Sequence, residues 1–225
     1  MSLPTPYYEE DGIVIYHADC RDILPHLPRV DLVLTDPPYG IDGGTGRINL
    51  ARGKGNYTDA FEDTPAYIES IVIPAIKVCI DLAYGVVVST GIRNMHLYPR
   101  CDSFGCLYQP AASGMQIFGN ADASPIFYYG RNPTKHNLGK KLSHLLIESD
   151  RDTDHPCPKP LKLWTTILHN CSLPGQTILD PFLGSGTTLV AAQSLGRKAI
   201  GIEIEKRYCD IAIERLRQQT LPLCT

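Results

Sequence analysis

The chain lacks any apolar run approaching the ~20 residues of a bilayer-spanning helix, and its start, MSLPTPYYEEDG, lacks the basic-then-apolar order of a secretory leader. A soluble, cytoplasmic protein with no membrane partner is therefore expected. It also lacks an excess of positive charge, with 21 Lys and Arg against 24 Asp and Glu and a formal net charge of −3. A nucleic-acid binder is often basic, so this balance counts against one, although a local basic face would be enough. The 8 cysteines are scattered, and none form the close pairs of a disulfide framework or a zinc site. Reduced, buried thiols and no metal are expected. Internal repeats and low-complexity segments are missing, as is the GxxxxGK[ST] phosphate loop, which excludes solenoids and P-loop enzymes.

What is present suits one α/β domain over residues 1–225: hydrophobic residues make up 43% and charged residues 20%. Short β-branched runs alternate with helical patterns. Strands are expected at Gly12–Ala18, Asp31–Thr35, Gly85–Ser89, Met115–Phe118, Pro125–Tyr129, Thr177–Asp180 and Ala199–Glu203. Helices are expected at Arg21–Leu27, Pro65–Leu82, Lys159–Cys171, Thr187–Leu195 and Lys206–Gln218. This order predicts a doubly wound, mostly parallel sheet. Two stretches depart from it. Residues 40–56 are glycine-rich and carry Arg47, Arg52 and Lys54, and residues 130–154 read as a polar surface insertion carrying Arg131, Lys135, Lys140 and Lys141.

The sharpest motif is Asp36-Pro37-Pro38-Tyr39, directly after the apolar run DLVLT. Doubly wound sheets bind ligands at the carboxyl ends of their strands, where this tetrapeptide falls. Two prolines stiffen the backbone and remove two N–H donors, leaving a segment rich in acceptors. An aromatic amine is a weak nucleophile because its lone pair is delocalised into the ring. A carboxylate and a prolyl carbonyl that both accept from one NH₂ would draw that nitrogen toward tetrahedral geometry. Tyr39 offers a flat face to a ring. The plainer reading is a proline-rich turn with an aspartate cap.

The second motif is LDPFLGSGTT, spanning Asp180, Pro181, Phe182, Gly184, Ser185, Gly186, Thr187 and Thr188 between an expected strand and helix. Its glycines allow close backbone approach, and the helix start favours an anion. Glu203, ending the next strand, is placed for ribose hydroxyls, with Glu205 as a substitute. A nicotinamide enzyme shares this layout, but Leu189 stands where its third glycine belongs.

Together these motifs, and the long stretches around them, resemble the DNA amino-methyltransferases (N6-adenine and N4-cytosine) in the permuted order called the β class, where the catalytic tetrapeptide precedes the cofactor loop. The resemblance implies a Rossmann-like fold, S-adenosyl-L-methionine as cofactor, double-stranded DNA as partner and a cognate restriction enzyme as a further one, in a monomer or homodimer. It assigns Asp19 and Cys20 to the cofactor's adenine, and His155, Lys159 and Pro160 to its methionine portion. Residues 130–154 become a short target-recognition insertion; the seven basic residues named above are, by their charge, candidates for phosphate contacts. Aspartate at the head of the tetrapeptide favours adenine N6. Cytosine N4 is the first alternative, followed by RNA or protein methylation, a non-catalytic nucleic-acid-binding module and a nicotinamide oxidoreductase.

Overall fold

The computed structural model describes residues 3–40, 63–108, 114–116, 119–121, 123–132, 134, 145–147 and 161–220. Its strands are β1 (Tyr8–Glu10), β2 (Ile13–His17), β3 (Val30–Thr35), β4 (Ala83–Ser89), β5 (Ser103–Tyr108), β6 (Gly114–Gln116), β7 (Gly119–Ala121), β8 (Ala123–Gly130), β9 (Leu145–Ile147), β10 (Thr177–Asp180) and β11 (Lys198–Glu203). All but β6 and β7 form one sheet in the order β1-β2-β11-β10-β3-β4-β8-β5-β9. The run from β2 to β4 is parallel, and β1 and β8 lie antiparallel to it.

The parallel strands are apolar on both faces because both are covered. Leu32 and Leu34 of β3 pack with Ile178 of β10 against α4 (Leu161–Cys171), α5 (Thr187–Ser194) and α6 (Lys206–Thr220). Val33 and Leu179 point the other way, onto α1 (Cys20–Ile23) and onto the long helical stretch that follows β3. That stretch opens as α2 (Pro65–Tyr67), capped by Thr64, and closes as α3 (Ile73–Leu82). Between them Ile68–Val72 forms a π turn, where Pro74 has no N–H to bond the carbonyl four residues back.

Several expectations change. The Met115–Phe118 strand is instead β6, in a two-stranded ribbon with β7. Leu145–Ile147, expected within a surface insertion, is the sheet's edge strand beside β5. Three apolar residues are too short a run to announce a strand. β1 also went unexpected. It is joined to β2 by Asp11 and Gly12, both at positive φ (49° and 81°), the turn chemistry of a two-residue hairpin.

Candidate active site

The site grows from the sheet's centre. β3 leads through α2 and α3 to β4 on one side, whereas its neighbour β10 leads through α5 to β11 on the other. The two connections diverge, leaving a crevice at the carboxyl ends of β3 and β10. Asp36–Tyr39 leaves β3 at this crevice, and the glycine loop leaves β10 beside it. The last residue of β3 ties them together: Thr35 Oγ1 donates to Asp180 Oδ1 at 2.7 Å.

On the β3 side, Tyr39 OH donates to Asp36 Oδ1 at 2.5 Å and lies 2.7 Å from Ser89 Oγ. The amide of Asn94 donates to the carbonyls of Tyr39 (2.7 Å) and Gly40 (3.2 Å), and the Gly40 N–H donates to Asp63 Oδ1. Gly91, at φ +65°, presses its backbone on the tyrosine ring: a Cβ there would come within 2.8 Å of Tyr39 Cγ. One side of the ring is therefore shaped by protein. Ser89, Gly91 and Asn94 belong to the site, yet no sequence motif marks them.

On the β10 side, Asp180 is buried at 3% exposure. Its oxygens accept from Thr35, from Thr188 Oγ1 (2.6 Å) and from the Phe182 N–H (3.1 Å), and Trp164 Nε1 in turn donates to Thr188 Oγ1 (2.9 Å). Burial pushes its carboxyl up to about 6, against the pull of these hydrogen bonds. Asp180 and Thr188 thus tie the loop to β3 and α4 through their own hydrogen bonds. Deleting the carboxyl removes the acceptor of two buried hydroxyls and one half-buried N–H, so Asp180→Ala should cost ~2–4 kcal/mol of stability. Urea unfolding checks this, and a loss below ~1 kcal/mol would show that the network is dispensable.

The outward part of the loop is Phe182, Gly184 and Ser185, all half-buried. A Cβ on Gly184 meets nothing within 4 Å, whereas one on Gly186 would sit 2.6 Å from Ala212. The first glycine opens onto space, and the second lets the loop lie against α6. Arg215 Nη1 braces the loop at Ser185 O (2.7 Å), Ser185 Oγ (3.0 Å) and Thr187 Oγ1 (3.1 Å). Glu203 accepts from the Gly184 N–H (2.8 Å) on one oxygen and from the Glu205 N–H (2.7 Å) on the other, and burial pushes it up to about 7. Each oxygen retains a lone pair. Asp19 caps α1 and binds Arg21, whose hydrogen bonds hold its carboxyl below the ordinary range. Cys20 is packed inward, and burial pushes its thiol up to about 12. Tyr67 of α2 lies within electrostatic reach of Asp19, Cys20 and Glu203, and its phenol is raised by burial.

The structure brings together Asp36–Tyr39, Asp180–Thr188, Glu203 and the Asp19–Cys20 turn at one edge of the sheet. It separates Arg131 from them. β8 runs antiparallel to β4 with Gly130 beside Gly85, and the Arg131 N–H reaches Tyr84 O, so Arg131 stands at the opposite edge of the sheet. Arg47, Arg52, Lys54, Lys135, Lys140, Lys141, His155, Lys159 and Pro160 lie outside the described residues.

Comparison with known proteins points the same way. Residues 111–214 match the model of the N6/N4 methyltransferase family described as DNA methylase. Type II methyltransferase M.ScaI of Streptomyces caespitosus is 27% identical, over 99% of this chain and 87% of its own. Among solved structures, the PvuII DNA methyltransferase (cytosine-N4-specific) superposes with a TM-score of 0.70 at 17% identity, covering 98% of this chain and 90% of its own. The M1.HpyAVI–SAM complex superposes at 0.60 with 23% identity, covering 91% and 98%. The chain thus has the Rossmann-like fold of the S-adenosylmethionine-dependent methyltransferases, and its matches to the DNA methylase model and to a type II methyltransferase support a DNA amino-methyltransferase.

Proposed function

We propose that the protein transfers a methyl group from S-adenosyl-L-methionine to the exocyclic amine of a base turned out of double-stranded DNA, and that this amine is N6 of adenine. The observation that carries the reading is the Thr35–Asp180 hydrogen bond, which holds the acceptor tetrapeptide and the open glycine loop over one crevice.

The residues present fit the cofactor. Gly184 leaves room above the loop, and Glu203 keeps lone pairs for two ribose hydroxyls. The Asp19–Cys20 turn borders the same crevice, for the adenine ring. His155, Lys159 and Pro160 are assigned to the methionine portion by the resemblance alone. When bound, the cofactor supplies an electrophilic methyl carbon on a sulfonium. Asp36 and a prolyl carbonyl accept the two amine hydrogens, so the nitrogen lone pair is aimed out of the ring plane. Tyr39 meets the base with the ring side that Gly91 does not cover. The methyl carbon that the bound cofactor would supply would take the place of one amine hydrogen on this nitrogen, and Asp36 would pass the displaced proton to solvent.

Expression in a host without DNA methylation, followed by modification-sensitive sequencing, tests this reading. N6-methyladenine at a recurring short sequence is expected. N4-methylcytosine would overturn the choice of base, and unmodified DNA would overturn the activity.

Glu203 gives the reading a pH signature. Its folded value, about 7, lies above its ordinary 4.5. Between these values the folded protein holds a proton that the unfolded chain releases, so this group's support for the cofactor-free fold is lost as pH rises through about 7. Cofactor binding runs oppositely, because hydroxyl donors prefer the ionised form. Affinity should rise by up to ~10-fold from pH 6 to pH 8 and level off above. In Glu203→Gln, calorimetry should find weaker binding with this rise gone. An unchanged pH profile in the variant would move the ribose contact elsewhere.

A further inference from the structure

The segment after β4 turns two sides to different tasks. Its inner side is used up by Tyr39: Ser89 at the hydroxyl, Gly91 at the ring, Asn94 at the carbonyl. Its outer side carries Ile92 and Met95, large apolar side chains 38% and 41% exposed, with exposed Arg93 and His96 among them. Consecutive Cα atoms are ~3.8 Å apart, so Ile92 and Met95 are each one residue from an atom that touches Tyr39. No acidic residue occurs from Thr90 to His96, although the chain as a whole is net negative. Apolar side chains beside an exposed cation, at the rim of a site, match the chemistry of a duplex opened at one base: exposed base faces flanked by phosphates.

Resting on the proposed methyl transfer to DNA, we infer that Thr90–Leu97 is the surface that meets the duplex around the extruded nucleotide. Ile92 and Met95 pack on the bases that flank the gap, and Arg93 pairs with a backbone phosphate. Tyr39 is anchored to this same segment, so seating it on DNA also fixes the wall of the base pocket.

The test uses the whole protein, unmethylated plasmid DNA and tritiated S-adenosylmethionine. Ile92→Ala/Met95→Ala should raise KM for DNA ~10-fold, with calorimetric cofactor affinity and melting temperature unchanged. Arg93→Ala should lower the slope of log K against log salt by ~1, and Arg93→Lys should restore it. Wild-type KM and salt slope in both alanine variants would overturn the surface, as would a loss of cofactor affinity in step with KM. Failure of the underlying reading is seen separately, in a wild-type protein that transfers no methyl group to the plasmid.

Discussion

Asp36→Ala should lose methyl transfer by ~10²-fold or more while keeping wild-type cofactor affinity and thermal stability. The loss follows, on the proposed mechanism, from removing the one anionic acceptor of the tetrapeptide. Stability should hold because Asp36 is only half-buried and Tyr39 OH retains Ser89 Oγ 2.7 Å away. Asp36→Asn should lie between, since its amide keeps one acceptor oxygen but brings donors that compete with the base. Single-turnover transfer on plasmid DNA, alongside calorimetry and thermal melting, separates these effects. A wild-type rate for Asp36→Ala would remove the carboxylate from the mechanism.

Gly184→Val should weaken cofactor binding by ~10²-fold or more. Gly184 stands at φ +52°, and a side chain there projects into open space beside Glu203, above the loop. A β-branched residue in that conformation costs ~1–2 kcal/mol in backbone strain, and its methyl groups enter the volume assigned to the cofactor. Gly184→Ala carries most of the strain with little of the bulk. If sterics dominate, alanine binds nearly as wild type and valine does not. Equal losses in both variants would make backbone strain the cause, and wild-type affinity in Gly184→Val would place the cofactor elsewhere.

The parts of this site that were legible in sequence are local. Asp36–Tyr39 directly follows β3 and Asp180–Thr188 starts at the last residue of β10, so strand ends and motif positions coincide, and parallel pairing brings them to one edge. The parts that escaped depend on direction and on distance along the chain. Arg131 looked like part of a basic face because residues 130–154 are polar, but the antiparallel run of β8 carries it to the far edge of the sheet. Ser89, Gly91 and Asn94 lie about 50 residues from Tyr39 with nothing in their spacing to link them. The hydrogen-bond network of Asp180 was not legible either, although the residue heads the loop motif. Its burial among Thr35, Thr188 and the Phe182 N–H turns it inward. β1 escaped because Tyr-Glu-Glu has no apolar alternation, even though Asp11-Gly12 is a strong turn signal.

The order of strands in the sheet has a consequence for the growing chain. β10 and β11 occupy the middle of the sheet, between β2 and β3, yet they leave the ribosome after every other strand. Until they arrive, β2 and β3 have no partner on their inner sides and present two unpaired apolar edges. At a synthesis rate of ~5–20 residues per second, the interval between β3 and β10 lasts on the order of ten seconds. During that time the nascent chain offers the open strand edges on which intermolecular pairing starts. A chain released before Thr177 would hold the complete Asp36–Tyr39 tetrapeptide with no glycine loop beside it and no closed sheet beneath it. Chaperone demand during translation is therefore written into the position of one late pair of strands.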